Sequence, residues 1–214
     1  MEAKRIALKT LLVSIAAILI TEAILRPAIA AIFTSPLPGL GITRVAEIIV
    51  LILITVKFEK SADALGLIPE KIIAGIKKGL IWSACFGITA IVLIVLLYLA
   101  DINALRMLYT PLPGSKALIF IYLLIGGVIG PLAEEIFFRG ILYGFLRQCG
   151  VYAAVILSTL FFVLPHLAGG NLPVTQLVGG IVFALAYEKE KNLMVPITIH
   201  CLGNLAIFSI ALLA

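Results

Sequence analysis

The chain has 214 residues, 63% hydrophobic and 13% charged, with a formal net charge of +5. Soluble domains are only about 45–50% apolar, so a mean hydropathy of +1.23 excludes a soluble enzyme and leaves too few polar residues for a separate soluble domain. Residues 1–214 read as one integral membrane domain, and the positive charge calls for a bilayer rather than a nucleic acid as partner, because basic residues of membrane proteins gather on the cytoplasmic side.

The N-terminal "MEAKRIALKTLLVSIAAILI" has a basic start and an apolar run. No small-x-small site followed by a polar mature chain comes after it, so it reads as a retained first helix rather than a cleaved signal. Apolar stretches of spanning length, about 20 residues each, follow near 6–26, 43–57, 78–100, 116–147, 151–168, 173–188 and 193–213. The expected fold is therefore an all-α polytopic bundle of about seven helices (six to eight), its catalytic groups in an internal polar cavity. The second stretch is short enough to be tilted or re-entrant, "PAIAAIFTSPLPGL" at 27–40 could dip into the membrane, and the fourth is long enough to break at Gly130-Pro131. Lys4, Arg5, Lys9, Lys57, Lys60, Lys71, Lys77, Lys78, Arg147, Lys189 and Lys191 fall on one side of this threading, and Arg26, Arg44, Arg106 and Lys116 on the other. That bias puts the N-terminus in the cytoplasm of a cell membrane. The basic 57–78 loop reads as a topology signal, with lipid-headgroup binding as the lesser alternative. Cys85, Cys149 and Cys201 have no CxxC spacing and give no disulfide or zinc framework.

Ionisable groups inside a bilayer cost roughly 2.5–3.5 kcal/mol each, so they face a bundle interior and serve a function. The deep set is Glu134, Glu135, Arg139, His166, His200 and Asn204, and it contains both histidines of the chain. At about 1.5 Å per residue these groups, carried on three helices, fall in one slab of the hydrocarbon core. Glu135 and Arg139 are four apart and share a face, as are His200 and Asn204, and Phe162 and His166. Glu134 points about 100° from Glu135, so the two carboxylates have different roles: Glu135 pairs with Arg139, and Glu134 faces the histidines. Pro131, Pro165 and Pro196 loosen their helices close by. Gly126, Gly127 and Gly130 read as close-packing positions between helices. Glu22 and Arg26 read as an ion pair, Glu47 as an interfacial carboxylate and Cys201 as an apolar filler.

One carboxylate and two histidines admit two chemistries. Glu134 can act as a general base on water, with a histidine and Asn204 donating to the oxyanion. Alternatively His166, His200 and Glu134 can hold a metal such as zinc that activates the water. HExxH and GxSxG are absent, and Asp63 and Asp101 lie in loops, which removes the other intramembrane peptidase chemistries. A proton-coupled transporter, or a non-catalytic peptide-binding or immunity protein, is the alternative class; no internal repeat supports the transporter.

"EEIFFR" (Glu134–Arg139), "FVLPH" (Phe162–His166) and "HCLGN" (His200–Asn204) resemble, in order and on three separate helices, the motifs EExxxR, FxxxH and HxxxN of the CPBP family of CAAX prenyl endopeptidases and Abi-type membrane proteases. The match covers about 116–213; the N-terminal half shares hydropathy and a short "LGL" at 65–67. The resemblance implies an intramembrane endopeptidase acting on a membrane-associated protein or peptide. It implies Glu134 as the water-activating residue, His166 as its partner, His200 with Asn204 near the oxyanion, and Glu135, Arg139 and Phe162 in support. Members are described both as metalloproteases and as glutamate peptidases. The glutamate mechanism without a cofactor is favoured here, because HxxxN is a poor zinc pair and an amide is a good donor.

Overall fold

The computed structural model describes residues 5–104, 108, 110–169 and 173–213; Lys4 and Arg106 of the charge pattern lie outside them. Among the described residues the chain is all-helical, with no strands and seven helices: α1 (Leu8–Ala30), α2 (Pro36–Glu59), α3 (Ile72–Leu99), α4 (Lys116–Cys149), α5 (Val151–Leu167), α6 (Val174–Glu190) and α7 (Met194–Leu213). The segments carrying α1, α2, α3, α4 and α7 are long and apolar enough to cross a membrane. α5 is apolar but shorter, and α6 has 17 residues, about 26 Å of helix. The protein is an integral membrane protein, and its exposed Ile, Leu, Val and Phe side chains lie on the outer faces of these helices.

Helix ends follow from local chemistry. The Ser35 hydroxyl accepts from the Leu37 N–H and caps α2, and the Ser115 hydroxyl accepts from Leu118 to cap α4. Gly150, at φ +100°, makes the turn from α4 to α5, a conformation that costs glycine nothing. The second span is a full 24-residue helix rather than a short one, and 27–40 is split between the end of α1, a turn and the start of α2.

α4 does not break at Gly130-Pro131. It widens instead into π-helical turns at Ile125–Ile129 and Ile136–Tyr143, on either side of an α-helical segment Gly130–Glu135. A proline ring clashes with the carbonyl four residues back in an α-helix, and the wider turn relieves that clash. α1 does the same, with a π turn at Thr21–Leu25 just ahead of Pro27. π-bulges of this kind are frequent at functional sites.

α4 is the hub of the bundle: its central segments touch α1, α2, α5, α6 and α7, while α3 lies along α7. The main core joins Ile136, Ile141 and Tyr143 of α4 to Leu11, Leu51, Tyr187 and Ile197 of the helices around it. Leu65, wholly buried, comes from the loop after α2. The Tyr187 hydroxyl donates to the Leu65 carbonyl at 3.0 Å, the Leu193 N–H to the Gly66 carbonyl at 3.1 Å, and the Asn192 amide to the Lys71 carbonyl at 2.9 Å. The 57–78 loop is thus part of the packed structure, beyond any topology signal. Gly126 and Gly127 face Phe208 and Leu205 of α7, as close packing requires; Gly130 instead faces its own helix, where an added Cβ would lie 3.1 Å from the Ile125 carbonyl. Pro196 stands in the first turn of α7, where no N–H partner is lost, and loosens nothing.

Candidate active site

The three motif-bearing helices meet through one buried ring. The His200 Nδ1 of α7 lies 2.8 Å from Glu135 Oε1 of α4, and its Nε2 lies 3.7 Å from Glu134 Oε2. Sequence spacing assigns Glu135 to Arg139 alone. The structure adds His200, because an imidazole presents nitrogens on two edges and two carboxylates about 100° apart on a helix can each reach one. A carboxylate only accepts, so the short bond makes Nδ1–H the donor and fixes the ring's orientation.

Arg139 and Glu135 are both 0% exposed. Arg139 Nη1 donates to Glu135 Oε1 at 2.9 Å, and Nη2 to the Gly180 carbonyl of α6 at 3.1 Å. Its guanidinium lies over the rings of Phe162 and Phe183, 4.6 and 5.2 Å from their centroids. A buried charge survives only when paired and hydrogen-bonded, and these four contacts supply that. Phe183 also stacks on His200, with centroids 4.7 Å apart and planes at 24°. Neither Phe183 nor Gly180 stands out in the sequence. Both are apolar members of an apolar helix, and the available clue was the pair Gly179-Gly180, which lets α6 approach Thr159 and Phe162 closely.

His166 lies where the α-helical part of α5 tightens into a 3₁₀ turn at Leu164–Gly169, around Pro165. Its Nδ1 is 2.9 Å from the Phe162 carbonyl. A carbonyl can only accept, so Nδ1 carries the proton and a neutral ring leaves Nε2 as an acceptor. The Phe162 ring lies between the two histidines, 5.3 Å from His166 and 5.7 Å from His200. His166 makes no hydrogen bond to Glu134, which is 23% exposed and the most open group of the first motif. Asn204, one turn along α7 from His200, donates through Nδ2 to the Gly126 carbonyl of α4 at 2.9 Å. Cys201 packs against the core as a filler.

Among the described residues no three His, Cys, Asp or Glu side chains gather to hold a metal ion. His200 turns its Nδ1 toward Glu135 and leaves Nε2 on the side of Glu134.

A second charged cluster lies beside the first. Glu22 pairs with Arg26 at 2.8 Å, and Arg44 Nη1 forms an ion pair with Glu22 at 3.0 Å and donates to Glu47 at 2.6 Å. Glu47 also accepts from Thr21 at 3.0 Å and is 3% exposed, so it is a buried ion-pair partner. α2 packs on Gly130–Glu135, which brings Arg44 within electrostatic reach of Glu134.

Residues 116–206 match the family model described as type II CAAX prenyl endopeptidase Rce1-like. The match spans the motif-bearing segment and makes that segment similar to the Rce1-like family. Among curated proteins, the chain is 38% identical over 98 residues to the membrane-embedded CAAX protease MroQ of Staphylococcus aureus (strain USA300), which covers 42% of this chain and 38% of MroQ. It is 30% identical over 83 residues to the protein named "Putative membrane peptidase YdiL" of Bacillus subtilis (strain 168), covering 38% of this chain and 34% of that one. The chain thus spans little more than a third of the length of these relatives. No solved structure matches. All three motifs fall inside the matched residues, in agreement with the resemblance read from them.

Proposed function

We propose that the protein is an intramembrane endopeptidase, with its N-terminus in the cytoplasm of the cell membrane. It hydrolyses a peptide bond in a membrane-associated protein or peptide, such as a CAAX-like tail, a leader or a sorting segment, and uses water activated by Glu134. The observation that carries this reading is the convergence on His200: Glu135 holds one nitrogen at 2.8 Å, and Glu134 stands 3.7 Å from the other.

In this mechanism Glu134 takes a proton from water as the oxygen adds to the scissile carbonyl. His166 Nε2, an acceptor because Nδ1–H is committed to the Phe162 carbonyl, holds the water's second hydrogen. The carbonyl oxygen becomes an oxyanion. Asn204 offers it the amide hydrogen not used on Gly126, and His200 offers Nε2–H when its ring carries both protons. The tetrahedral intermediate collapses with cleavage of the C–N bond, and Glu134 returns its proton to the leaving amine. Arg139 acts through Glu135, which keeps His200 in register.

The test compares wild type with Glu134→Gln, each purified in lipid, on a pool of prenylated tails and unprenylated leader peptides, with products read by mass spectrometry. Products from wild type alone, unchanged by chelator, are expected. Equal cleavage by both proteins would refute Glu134 as the base, and loss of cleavage on chelation would replace the glutamate mechanism by a metal-assisted one.

A further inference from the structure

Asn204 carries a motif position, yet in the structure its amide is bonded to a backbone carbonyl, Gly126, 78 residues away in sequence. That carbonyl is free for a specific reason. In an α-helix its donor would be the N–H of Gly130, but the π turn sends the Gly130 N–H to the Ile125 carbonyl instead. In the π register the next donor, five residues on, would be residue 131, which is proline and has no N–H. Neither register supplies Gly126 with a helical partner, and a carbonyl left unpaired away from water is costly. Gly126 and Gly127 also have no side chains to hold α7 away: a Cβ on Gly127 would lie 2.5 Å from Leu205, and one on Gly126 3.1 Å from Phe208. Asn204 is therefore brought to within 2.9 Å of an acceptor for which neither register supplies a helical donor.

We infer that Pro131 is a positioning residue for Asn204: by removing a helical donor it exposes the Gly126 carbonyl, which holds the amide so that its second N–H is aimed and ready. The bond itself stands independently of the proposed peptidase activity; its catalytic consequence rests on that reading. An amide held by one hydrogen aims the other without reorganisation at the moment of reaction, which is the requirement for oxyanion stabilisation.

Two measurements on four full-length chains in lipid (wild type, Pro131→Ala, Asn204→Ala and the double variant) test this. Asn204→Ala strands the Gly126 carbonyl and lowers the unfolding temperature. Pro131→Ala lets the helix supply a donor again, so the same Asn204→Ala change in that background lowers the unfolding temperature much less. An equal loss in both backgrounds overturns the inference whatever the protein catalyses. On a cleaved peptide, Pro131→Ala is expected to lower kcat about tenfold or more with KM nearly constant, the signature of an interaction made in the transition state. Adding Asn204→Ala to it should then cost little further. Unchanged kcat in a folded Pro131→Ala protein, or full multiplicativity of the two losses, overturns the catalytic role and leaves Asn204 a helix clamp. If wild type cleaves nothing, the peptidase reading and the catalytic role fall together, and the unfolding measurements alone decide the bond.

Discussion

Replacing Glu135 by glutamine tests the centre of the site without changing its shape. The amide keeps an oxygen that can accept from His200 Nδ1, but it removes the only carboxylate bonded to Arg139 among the described residues. Arg139 is fully buried, and what remains to it is the Gly180 carbonyl at 3.1 Å and the faces of Phe162 and Phe183. Breaking a buried ion pair by removing one partner costs about 3–5 kcal/mol. Cation–π contacts in a desolvated setting return about 2 kcal/mol, but wild type has them too and they do not offset the loss. The expected destabilisation is therefore about 3 kcal/mol, or about a hundredfold in the folding equilibrium. Removing both charges with Glu135→Gln and Arg139→Met should bring stability back to within about 1 kcal/mol of wild type, since an apolar replacement of a buried pair is often neutral. Peptide cleavage should stay low in both variants, because the ion pair orients His200 and the double variant does not rebuild it. Unfolding by a denaturing detergent, followed by intrinsic fluorescence, measures the stabilities, and a fluorogenic peptide measures cleavage. A single variant as stable as wild type, or a double variant no better than the single, would refute the reasoning.

Other outcomes follow from the packing and the charges. Gly79→Leu should destabilise by about 1–3 kcal/mol, because its Cβ would lie 2.5 Å from Thr198 on α7, whereas Gly87→Leu on the same helix, with nothing within 4 Å, should be nearly neutral; thermal unfolding of the two separates packing from composition. Tyr187→Phe should cost about 1–3 kcal/mol by stranding the Leu65 carbonyl, and an unchanged unfolding midpoint would mean that the loop is not anchored there. Glu190 lies beyond the 173–188 apolar stretch, and its hydrogen bond from Lys78, joined by one from Trp82, holds its carboxyl below the usual range against the opposing effect of burial. A depressed folded value gives stability that is present above the ordinary carboxylate range and lost as pH falls through the depressed value. Trp82 fluorescence across an acid titration should show that loss, and the slope should flatten in Glu190→Gln; identical slopes would discount the pair.

The helix count and the three motifs were legible because each rests on a local period. Spanning lengths announce helices, and the intervals Glu135–Arg139, Phe162–His166 and His200–Asn204 put their members on shared faces. What was not legible depends on the distance between helices. Nothing in the composition of α6 says that Phe183 will stack on His200 or that the Gly180 carbonyl will receive Arg139. Glu47 looks like any carboxylate near a helix start until α1 and α2 are packed, when Thr21, Arg44 and Glu22 surround it. Likewise Leu65 belongs to a basic loop by sequence and to the core by contact.

The prolines show how close a local rule can come and still miss. A proline in a helix removes a hydrogen bond and clashes with the carbonyl four residues back, so a break at Gly130-Pro131 was a sound expectation. Within a membrane a break also has to re-satisfy the freed carbonyls, and lipid offers no donors. The chain solves both demands by inserting one π turn immediately before the proline, twice: Thr21–Leu25 ahead of Pro27, and Ile125–Ile129 ahead of Pro131. In each case the residue just before the proline bonds five back, Arg26 to Thr21 and Gly130 to Ile125. The helix stays continuous, and the carbonyl five residues before the proline meets no N–H there. In α1 that segment joins the Glu22–Arg44–Glu47 cluster. In α4 the vacated carbonyl is the one Asn204 takes, about two helical turns before the tandem carboxylates. The proline that looked like a break is thus the feature that ties the third motif to the helix of the first.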